Sequence, residues 1–227
     1  MCDFDPQEKS LQHSLESTVA SIDYHRGHIN LIDIPGYPDF IGRTLPVLAA
    51  VETCTVVINA QTGIEMVTSK MMEAAKDRAL DRIIIINKID AEQVDLKKLF
   101  DQIKETFGKE CLPLNLPANN NAEVIDCFFQ ASGKETDFLL VEEAHTNIID
   151  QVIELDENLM GIYLEQGDEI TPEQLHEPFE QALREGHLTP VCFVSSHTGA
   201  GIGELLEVFA QLMPNPKEGN PPQFVKG

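Results

Sequence analysis

The sequence predicts an α/β fold built on a doubly wound, mainly parallel sheet. Two observations favour this class. Apolar runs without alternation, such as Ile83 to Ile86, are typical of parallel strands that are covered on both faces. Amphipathic helical patterns separate these runs along the chain, which is the order that helices on both faces of one sheet require. Such a sheet places its ligand in loops at the carboxyl ends of its strands.

The first regular element is a β-hairpin. Residues 18–24 and 29–34 read as two short strands, and the turn-rich stretch 25–28 favours a tight connection between them. The sequence Pro-Gly-Tyr-Pro that begins at Pro35 sustains neither a ladder nor a helix. A loop is therefore expected directly after the second strand.

Strands and helices alternate in the rest of the chain. The patterns predict strands at 54–60, 82–87 and 190–194, and helices at 65–80, 94–107 and 202–213. Periodicity weakens in the middle of the chain, where acidic residues and loop signals increase. That stretch is predicted to be an inserted α+β subdomain with a few strands and one or two helices.

These patterns predict a chain of four segments. Residues 1–118 form the first part of the main domain, 119–187 the insertion, 188–214 the end of the main domain, and 215–227 a linker. The linker is predicted because Pro214 and Pro216 stop the last helix and prolines recur after it.

Composition limits the classes of partner. The 227 residues are 42% hydrophobic, enough to bury a sizeable core, and carry 16 Lys+Arg against 38 Asp+Glu, a formal charge of -22. This charge opposes non-specific attraction to nucleic acid, so any such partner must be reached through a local patch or neighbouring domains. Five scattered cysteines and the lack of a long apolar run predict a reduced, cytoplasmic protein without a membrane span.

The sequence Asn87-Lys88-Ile89-Asp90 directly follows the isoleucine-rich strand. The Asp90 carboxylate can accept both the ring N–H and the exocyclic amine of guanine, while the Lys88 stem lies along the base and Asn87 ties neighbouring loops together. With adenine in place of guanine, the Asp90 carboxylate would face a hydrogen-bond acceptor of the base and could not form this pair. In isolation, this tetrapeptide could equally be a solvated loop.

A second motif, Asp33-Ile34-Pro35-Gly36, ends the second hairpin strand. Asp33 can support a magnesium ion through water, and the Gly36 N–H can meet a terminal phosphate oxygen. A plain Pro-Gly turn would account for Pro35 and Gly36 but not for Asp33 at a strand end.

The third loop, Ser195-Ser196-His197, precedes the terminal helix. Its backbone N–H groups can contact the guanine carbonyl oxygen, although alone it could be an ordinary turn with a hydroxyl N-cap. Three such loops in this order indicate a guanine-nucleotide site.

These motifs resemble the GTPase domain of elongation factor G over nearly the whole chain. The segment from Asp33 to Phe40 looks like the second switch of that family, Asn87 to Asp90 like its guanine-specificity motif, and Ser195-Ser196 like its last loop. Leu212 to Pro216 resembles the exit from the domain. Residues 155–160 and 163–165 look like the helical part of the insertion of that family.

The resemblance implies a fold of the P-loop GTPase type and a GTP-hydrolysing translation factor. It implies GTP or GDP and Mg²⁺ as ligands, with Asn87, Lys88, Asp90, Ser195, Ser196, His197, Asp33 and Gly36 at the nucleotide and Ser14 and Asp33 at the metal. The implied partner of a full-length, monomeric protein is the ribosome, through ribosomal RNA and stalk proteins.

The sequence departs from the family at the phosphates. No window satisfies Gly-x-x-x-x-Gly-Lys-Ser/Thr, whose backbone N–H groups and lysine hold the phosphates. The nearest match, residues 132–135, lacks the first glycine and the hydroxyl. Since Gln7-Glu8-Lys9 resembles the first switch, an amino-terminal strand, loop and helix are expected to lie outside this chain. The chain alone should bind GTP poorly.

Two substitutions concern hydrolysis. Tyr37 stands where the family has the histidine that helps to orient the attacking water, so it either places a water itself or slows hydrolysis severely. In the first switch, Leu11-Gln12-His13-Ser14 replaces Arg-Gly-Ile-Thr, and Ser14 keeps a hydroxyl for the metal. Both changes indicate a divergent paralogue of elongation factor G.

Three functions remain open at this point. The first is a GTPase that couples hydrolysis to a ribosomal step such as translocation. The second is a hydrolysis-deficient module that only occupies the ribosome, which Tyr37 and Ser14 motivate. The third is an unrelated α/β enzyme with fortuitous loops, and preferential binding of adenine nucleotides would favour it.

Overall fold

The computed structural model of the chain describes residues 2, 4–25, 27–133, 135–155, 159–161, 163 and 172–219. Its described strands are β1 (Thr18–Tyr24), β2 (Gly27–Asp33), β3 (Thr53–Asn59), β4 (Asp81–Asn87), β5 (Cys111–Pro113), β6 (Asn115–Ala118), β7 (Glu123–Asp126) and β8 (Thr189–Phe193). Its described helices are α1 (Pro6–Leu11), α2 (Ile41–Thr44), α3 (Met66–Asp77), α4 (Leu96–Phe107), α5 (Val141–Ile153), α6 (Pro172–Arg184) and α7 (Ile202–Gln211). Short 3₁₀ turns flank α2.

A four-stranded parallel sheet lies at the centre of the main domain, with strand order β3-β4-β8-β5. Strands β3 and β4 pair from Thr53 opposite Asp81 to Asn59 opposite Asn87. The carboxyl ends of neighbouring strands therefore lie side by side at one end of the sheet, where the loops after β4 and β8 begin. The predicted doubly wound α/β class is confirmed.

Strand β4 shows why its sequence does not alternate. Ile84 and Ile86 pack into a core that contains α3 and α4, whereas Ile83 and Ile85 pack into a second core with α5, α6 and α7. Both faces of the strand are buried, so each position favours an apolar side chain. Burial of each isoleucine stabilises the fold by roughly 1.5–3 kcal/mol.

Strands β1 and β2 form the predicted hairpin, with Thr18 opposite Asp33 and Tyr24 opposite Gly27. Among the described strands, the hairpin is a sheet of its own and β3 is an edge of the parallel sheet. Val57 on β3 is 57% exposed, an unusual environment for a valine in a strand.

The tip of the hairpin contacts α7. The Tyr24 hydroxyl donates a 2.9 Å hydrogen bond to Glu207 Oε1, and His25 Nε2 lies 2.8 Å from the same oxygen. These contacts connect the segment before the second switch to the last helix of the domain.

The predicted insertion, with the residues directly before it, contains an antiparallel pair and two helices among its described residues. Strands β6 and β7 pair with Asn115 opposite Asp126, and α5 and α6 pack on the second core. This pair begins before residue 119, so it crosses the predicted boundary, which itself stays a prediction. Of the residues that carry the predicted resemblance in the insertion, 156–158, 164 and 165 lie outside the described residues, as do 220–227 of the predicted linker.

The five cysteines are unpaired thiols, four of them buried. None of the helices in the described part of the chain has the length and apolar content that crossing a bilayer requires.

Candidate functional site

The loops after β4 and β8 are joined through the side chain of Asn87. Its Oδ1 accepts the N–H of Lys88 at 2.7 Å and the N–H of Ser196 at 3.0 Å, and its Nδ2 donates to Ser196 Oγ at 3.2 Å. Asn87 therefore holds the two predicted base-side loops against each other, as the sequence predicted for this residue.

Ser195 connects the same two loops from below the protein surface. Its side chain is fully buried, and its Oγ donates a 2.5 Å hydrogen bond to Asp90 Oδ1 while accepting the N–H of Thr198 at 3.0 Å. Asp90 itself is exposed. The bond from Ser195 is the main reason that the pKa of Asp90 is lowered, and the positive charges of His197 and Lys88 act in the same direction. Asp90 therefore presents an ionised, oriented carboxylate to solvent.

The backbone around these side chains is tightly turned. Lys88 has a φ of 65°, and Gly201, at the start of α7, has a φ of 75°. A Cβ at Gly201 would lie 2.3 Å from the carbonyl oxygen of Phe193, a distance that no side chain tolerates. The N–H of Ser195 bonds the carbonyl of Ala200 at 2.8 Å, so the turn closes directly behind the serine.

Asp33, the last residue of β2, and Gly36, in the loop that follows, are exposed to solvent. Pro35, between them in sequence, is buried, and its carbonyl accepts a 3.1 Å hydrogen bond from the buried Thr44 hydroxyl. Its two chain neighbours aside, no heavy atom of the described residues lies within 4 Å of the position of a Cβ on Gly36. Pro35 is thus held by the fold while Gly36 is exposed, which suits a backbone N–H that binds a phosphate.

The segment before β1 is organised by one buried carboxylate. Glu8 is 3% exposed, and its oxygens accept the N–H groups of Asp5 at 3.1 Å, Leu15 at 2.8 Å and Glu16 at 3.2 Å. These bonds lower the pKa of Glu8, the bond from Leu15 most of all. The Glu8 carboxylate therefore binds backbone N–H groups at both ends of the predicted first switch.

The two predicted switch segments contact each other. The His13 ring lies on Tyr37 with centroids 4.3 Å apart and an interplanar angle of 37°, and its centroid is 6.2 Å from that of Phe40. Arg43 donates a 3.1 Å hydrogen bond to the carbonyl of Leu15 and forms an ion pair with Glu16. A tilted ring contact thus joins the two predicted switch segments, and Arg43 on α2 binds the residues that follow the first of them.

The available oxygen ligands determine which metal arrangement fits. The described residues contain no group of three or more His, Cys, Asp or Glu side chains that could hold a metal ion. Mg²⁺ commonly takes one or two protein oxygens and completes its shell with water and phosphate oxygens. The half-buried Ser14 and the exposed Asp33 fit that arrangement, and a cage made by the protein alone does not.

The structure brings the predicted residues together in two groups. Hydrogen bonds join Asn87, Lys88, Asp90, Ser195 and Ser196 at the ends of β4 and β8, with His197 in the same loop. Tyr37 contacts the predicted first switch, which carries Ser14, while Asp33 ends β2 and Gly36 lies in the loop between β2 and Tyr37.

Sequence reasoning missed the roles of Glu8, His13 and Arg43. Glu8 had a local signal, since Asp5-Pro6-Gln7-Glu8 is a capping-box pattern, and the structure shows both bonds of that box. The contacts of His13 and Arg43 span 24 and 28 residues, and no periodicity marks such pairs.

Comparison with known proteins identifies the family of this site. The family model described as the elongation factor Tu GTP binding domain matches residues 1–215. An elongation factor G-like protein of Mycobacterium tuberculosis is 34% identical over 232 residues, which cover 96% of this chain and 32% of that protein. The elongation factor G-like protein of Thermotoga maritima is 27% identical, covering 95% and 33% respectively.

A release factor and a solved structure are similar over nearly the same part. Peptide chain release factor 3 of Streptococcus pyogenes is 28% identical over 209 residues, 92% of this chain and 40% of that protein. A crystal structure of a protein from Thermus thermophilus matches with a TM-score of 0.82 and 27% identity, covering 96% of this chain and 35% of that one. The chain thus spans about a third of the length of the relatives that it matches.

Proposed function

The chain belongs to the family of the elongation factor Tu GTP binding domain, that is, to the translational GTPases, and from that premise we propose that it is the guanine-reading part of an elongation factor of the G type. The full-length protein would hydrolyse GTP on the ribosome and couple hydrolysis to a step such as translocation. The observation that carries the proposal is the hydrogen-bonded group of Asn87, Asp90 and Ser195. Family membership excludes the unrelated α/β enzyme.

Guanine selection is assigned to the loops after β4 and β8. The exposed Asp90 carboxylate would accept the ring N–H and exocyclic amine of guanine, a charge-assisted pair that adenine cannot form. Lys88 would cover the base with its stem. The loop of Ser195, Ser196 and His197 would place backbone N–H groups near the guanine carbonyl oxygen, and the bonds of Asn87 keep it in position.

The phosphates need groups that this sequence does not supply. We propose that a strand, phosphate-binding loop and helix outside the 227 residues complete the site, with the strand between β2 and β3. Two features of the described residues support this arrangement: β2 and β3 belong to separate sheets, and Val57 on the edge strand is 57% exposed. An added strand would pair with this edge, and the added helix would cover the face of the sheet from which Val57 projects.

The metal and the terminal phosphate would meet the two switches. Ser14 Oγ would bind Mg²⁺ directly, Asp33 would bind it through water, and the Gly36 N–H would contact a terminal phosphate oxygen. When bound, the ion neutralises phosphate charge that develops during hydrolysis.

Binding to the ribosome would involve the insertion and the rest of the full-length protein. The first turn of α5 exposes Glu142 and Glu143, and the chain has a formal charge of -22. That charge favours a protein surface, such as a stalk protein, over direct contact of this domain with RNA phosphates. We propose a cytoplasmic monomer that reaches ribosomal RNA through its other domains.

The second candidate is a hydrolysis-deficient module that binds the ribosome. Tyr37 favours it, because a phenol replaces the imidazole at the position after Gly36. The side chain is 52% exposed and lies against the first switch. Whether it supports turnover decides between the two candidates.

The test uses the full-length protein and its Tyr37→His variant. Nucleotide affinity is measured with GTP and with ATP as competitor, and phosphate release is measured with and without ribosomes. Tight GTP binding with ribosome-stimulated release supports the elongation factor. Ribosome binding without release, rescued by Tyr37→His, supports the module, and tighter binding of ATP than of GTP contradicts both.

A further inference from the structure

We propose that His13, on the first switch, provides the imidazole that orients the attacking water, a role that Tyr37 cannot fill with the same chemistry. This inference rests on the proposed GTPase function and assigns a further residue to it. It starts from one contact: the ring centroid of His13 lies 4.3 Å from that of Tyr37, the residue that stands where the resemblance implies an imidazole.

The His13 imidazole already lies beside the predicted second switch. No change in the conformation of that switch is needed to bring it there. The two ring centroids are 4.3 Å apart, and Tyr37 lies one residue after the open peptide of Gly36. An imidazole on the face of Tyr37 is thus close to the backbone group that would bind the terminal phosphate. Tyr37 acts in this arrangement as the surface on which His13 is positioned.

Contacts from α1 and α2 hold the residues that follow His13. Glu8 accepts the N–H groups of Leu15 and Glu16, and Arg43 on α2 donates to the carbonyl of Leu15. Ser14, the proposed metal ligand, is the next residue after His13. The imidazole and the metal hydroxyl therefore move together whenever this segment moves.

The ring has a nitrogen available for the reaction. His13 Nδ1 lies 3.4 Å from the carbonyl oxygen of Ser14, a long contact, and Nε2 has no hydrogen-bond partner among the described residues. A neutral imidazole whose Nδ1 carries the proton can accept a hydrogen bond at Nε2 from the attacking water.

The step itself is ordinary hydrolysis. The water oxygen forms a bond to the γ-phosphorus while the bond from that phosphorus to the β–γ bridging oxygen breaks. The bridging oxygen leaves with GDP, and the water oxygen and its protons end in inorganic phosphate and solvent. His13 orients the water through this step and is unchanged after it.

The experiment compares four forms of the full-length protein: the unaltered protein, His13→Ala, Tyr37→His, and the double variant His13→Ala/Tyr37→His. We expect His13→Ala to lower the ribosome-stimulated kcat on the order of 100-fold, the usual size of such a contribution, with Kd for GTP changed by less than about 3-fold. The double variant is expected to recover at least about 10-fold of that loss, because it returns an imidazole to the second switch.

Two controls separate this role from a structural one. His28→Ala removes an exposed histidine of the hairpin, bonded to Asp23 at 2.6 Å, and should leave kcat unchanged. His13→Gln keeps a group that can accept a hydrogen bond from water and should retain more activity than His13→Ala. Equal losses of turnover in His13→Gln and His13→Ala would show that His13 acts through its ring contact with Tyr37 and not by orienting the water.

The outcomes distinguish this inference from the proposed function. Stimulated turnover that survives His13→Ala, or a loss of turnover that only follows a loss of GTP binding, overturns the role of His13 and leaves the GTPase intact. A protein that binds GTP and ribosomes but releases no phosphate in its unaltered form overturns the hydrolytic function and this inference with it.

Discussion

Ser195 donates a 2.5 Å hydrogen bond to Asp90, a residue 105 positions earlier in the sequence. The donor is fully buried and the acceptor is exposed, so a rigid part of the fold orients a group at the surface. The same hydroxyl accepts the N–H of Thr198, which fixes the serine rotamer. Asp90 is therefore oriented before any ligand arrives, which lowers the entropy lost on binding.

Replacing Ser195 by alanine tests this orientation. Ser195→Ala removes the bond to Asp90 and leaves the Thr198 N–H without its partner. We expect affinity of the full-length protein for GDP to fall about 5- to 30-fold, and the loss of the bond to Thr198 to destabilise the domain by about 1–2 kcal/mol. Fluorescence titration with a labelled nucleotide and urea unfolding measure the two effects.

Ser196→Ala is the matched control. Ser196 is exposed, and its hydroxyl accepts only a 3.2 Å bond from Asn87, while its N–H keeps the bond to Asn87 Oδ1. Its GDP affinity should change by less than about 3-fold. Equal losses in the two variants would show that Ser195 does not act through Asp90.

Asp90→Asn tests the base that the site reads. An amide has one acceptor oxygen and one donor nitrogen, so it cannot accept from both guanine donors but can donate to the carbonyl of xanthine at the same ring position. We expect affinity for GTP to fall at least about 10-fold and affinity for xanthosine triphosphate to rise. Competition between the two nucleotides on the full-length protein measures the change.

Glu92→Gln is the control for charge. Glu92 is an exposed carboxylate two residues after Asp90, so Glu92→Gln changes the net charge by the same amount without altering the proposed contact. If both variants lose GTP affinity equally and neither gains xanthosine triphosphate, Asp90 does not read the base.

Much of the main domain is visible in the sequence because its determinants are local. The isoleucine run of β4 is buried on both faces, and the motif that starts at Asn87 follows it directly, so strand and loop were predicted together. The serine loop after β8 was predicted in the same way. Residues at the ends of adjacent parallel strands must meet, and the bond between Asn87 and Ser196 is a consequence of that rule.

No comparable rule predicts the contacts around the two switch segments from the sequence. His13 reaches Tyr37, and Arg43 reaches Leu15, from segments with little regular structure, where neither the strand nor the helix period constrains the path. The separation of the hairpin from β3 was also not readable from local patterns, because strand pairing depends on which other strands compete for the same edge.

Glu8→Ala tests whether one carboxylate holds the first switch. Its loss would leave the N–H groups of Asp5, Leu15 and Glu16 without their acceptor, so amide hydrogens in residues 5–16 should exchange at least about 10-fold faster. Hydrogen exchange with mass spectrometry measures this. Lys9→Ala, an exposed change on the same helix, should not alter the rates. Unchanged exchange in Glu8→Ala would mean that other contacts fix the segment.

Asp81, at the start of β4, makes stability depend on pH. Its side chain is 2% exposed, neither of its oxygens has a hydrogen-bond partner among the described residues, and burial raises its pKa from 3.8 to about 6. Arg184 and Arg82 oppose that rise, and Glu180 adds to it. Between pH 4 and 6 the folded chain therefore binds more protons than the unfolded chain, so stability falls as pH rises through this window.

Asp81→Asn should remove this dependence, because the amide stays neutral. The difference between 3.8 and about 6 corresponds to on the order of 3 kcal/mol at pH 7.5, and the unpartnered amide keeps part of the desolvation cost. We expect a gain of about 1–3 kcal/mol in the free energy of unfolding at pH 7.5 and little change at pH 4, measured by urea unfolding across this range.

Asp126 titrates in the same window and provides the comparison. Burial raises its pKa to about 6 as well, but it accepts the N–H of Phe129 at 2.6 Å, so its carboxylate is partly compensated. Asp81→Asn should retain the part of the pH dependence due to Asp126, and the double variant with Asp126→Asn should lose that part as well. If Asp81→Asn is less stable than the unaltered chain at pH 7.5, the attraction of Arg184 and Arg82 outweighs the burial of the charge, and β4 begins with a stabilising ion pair.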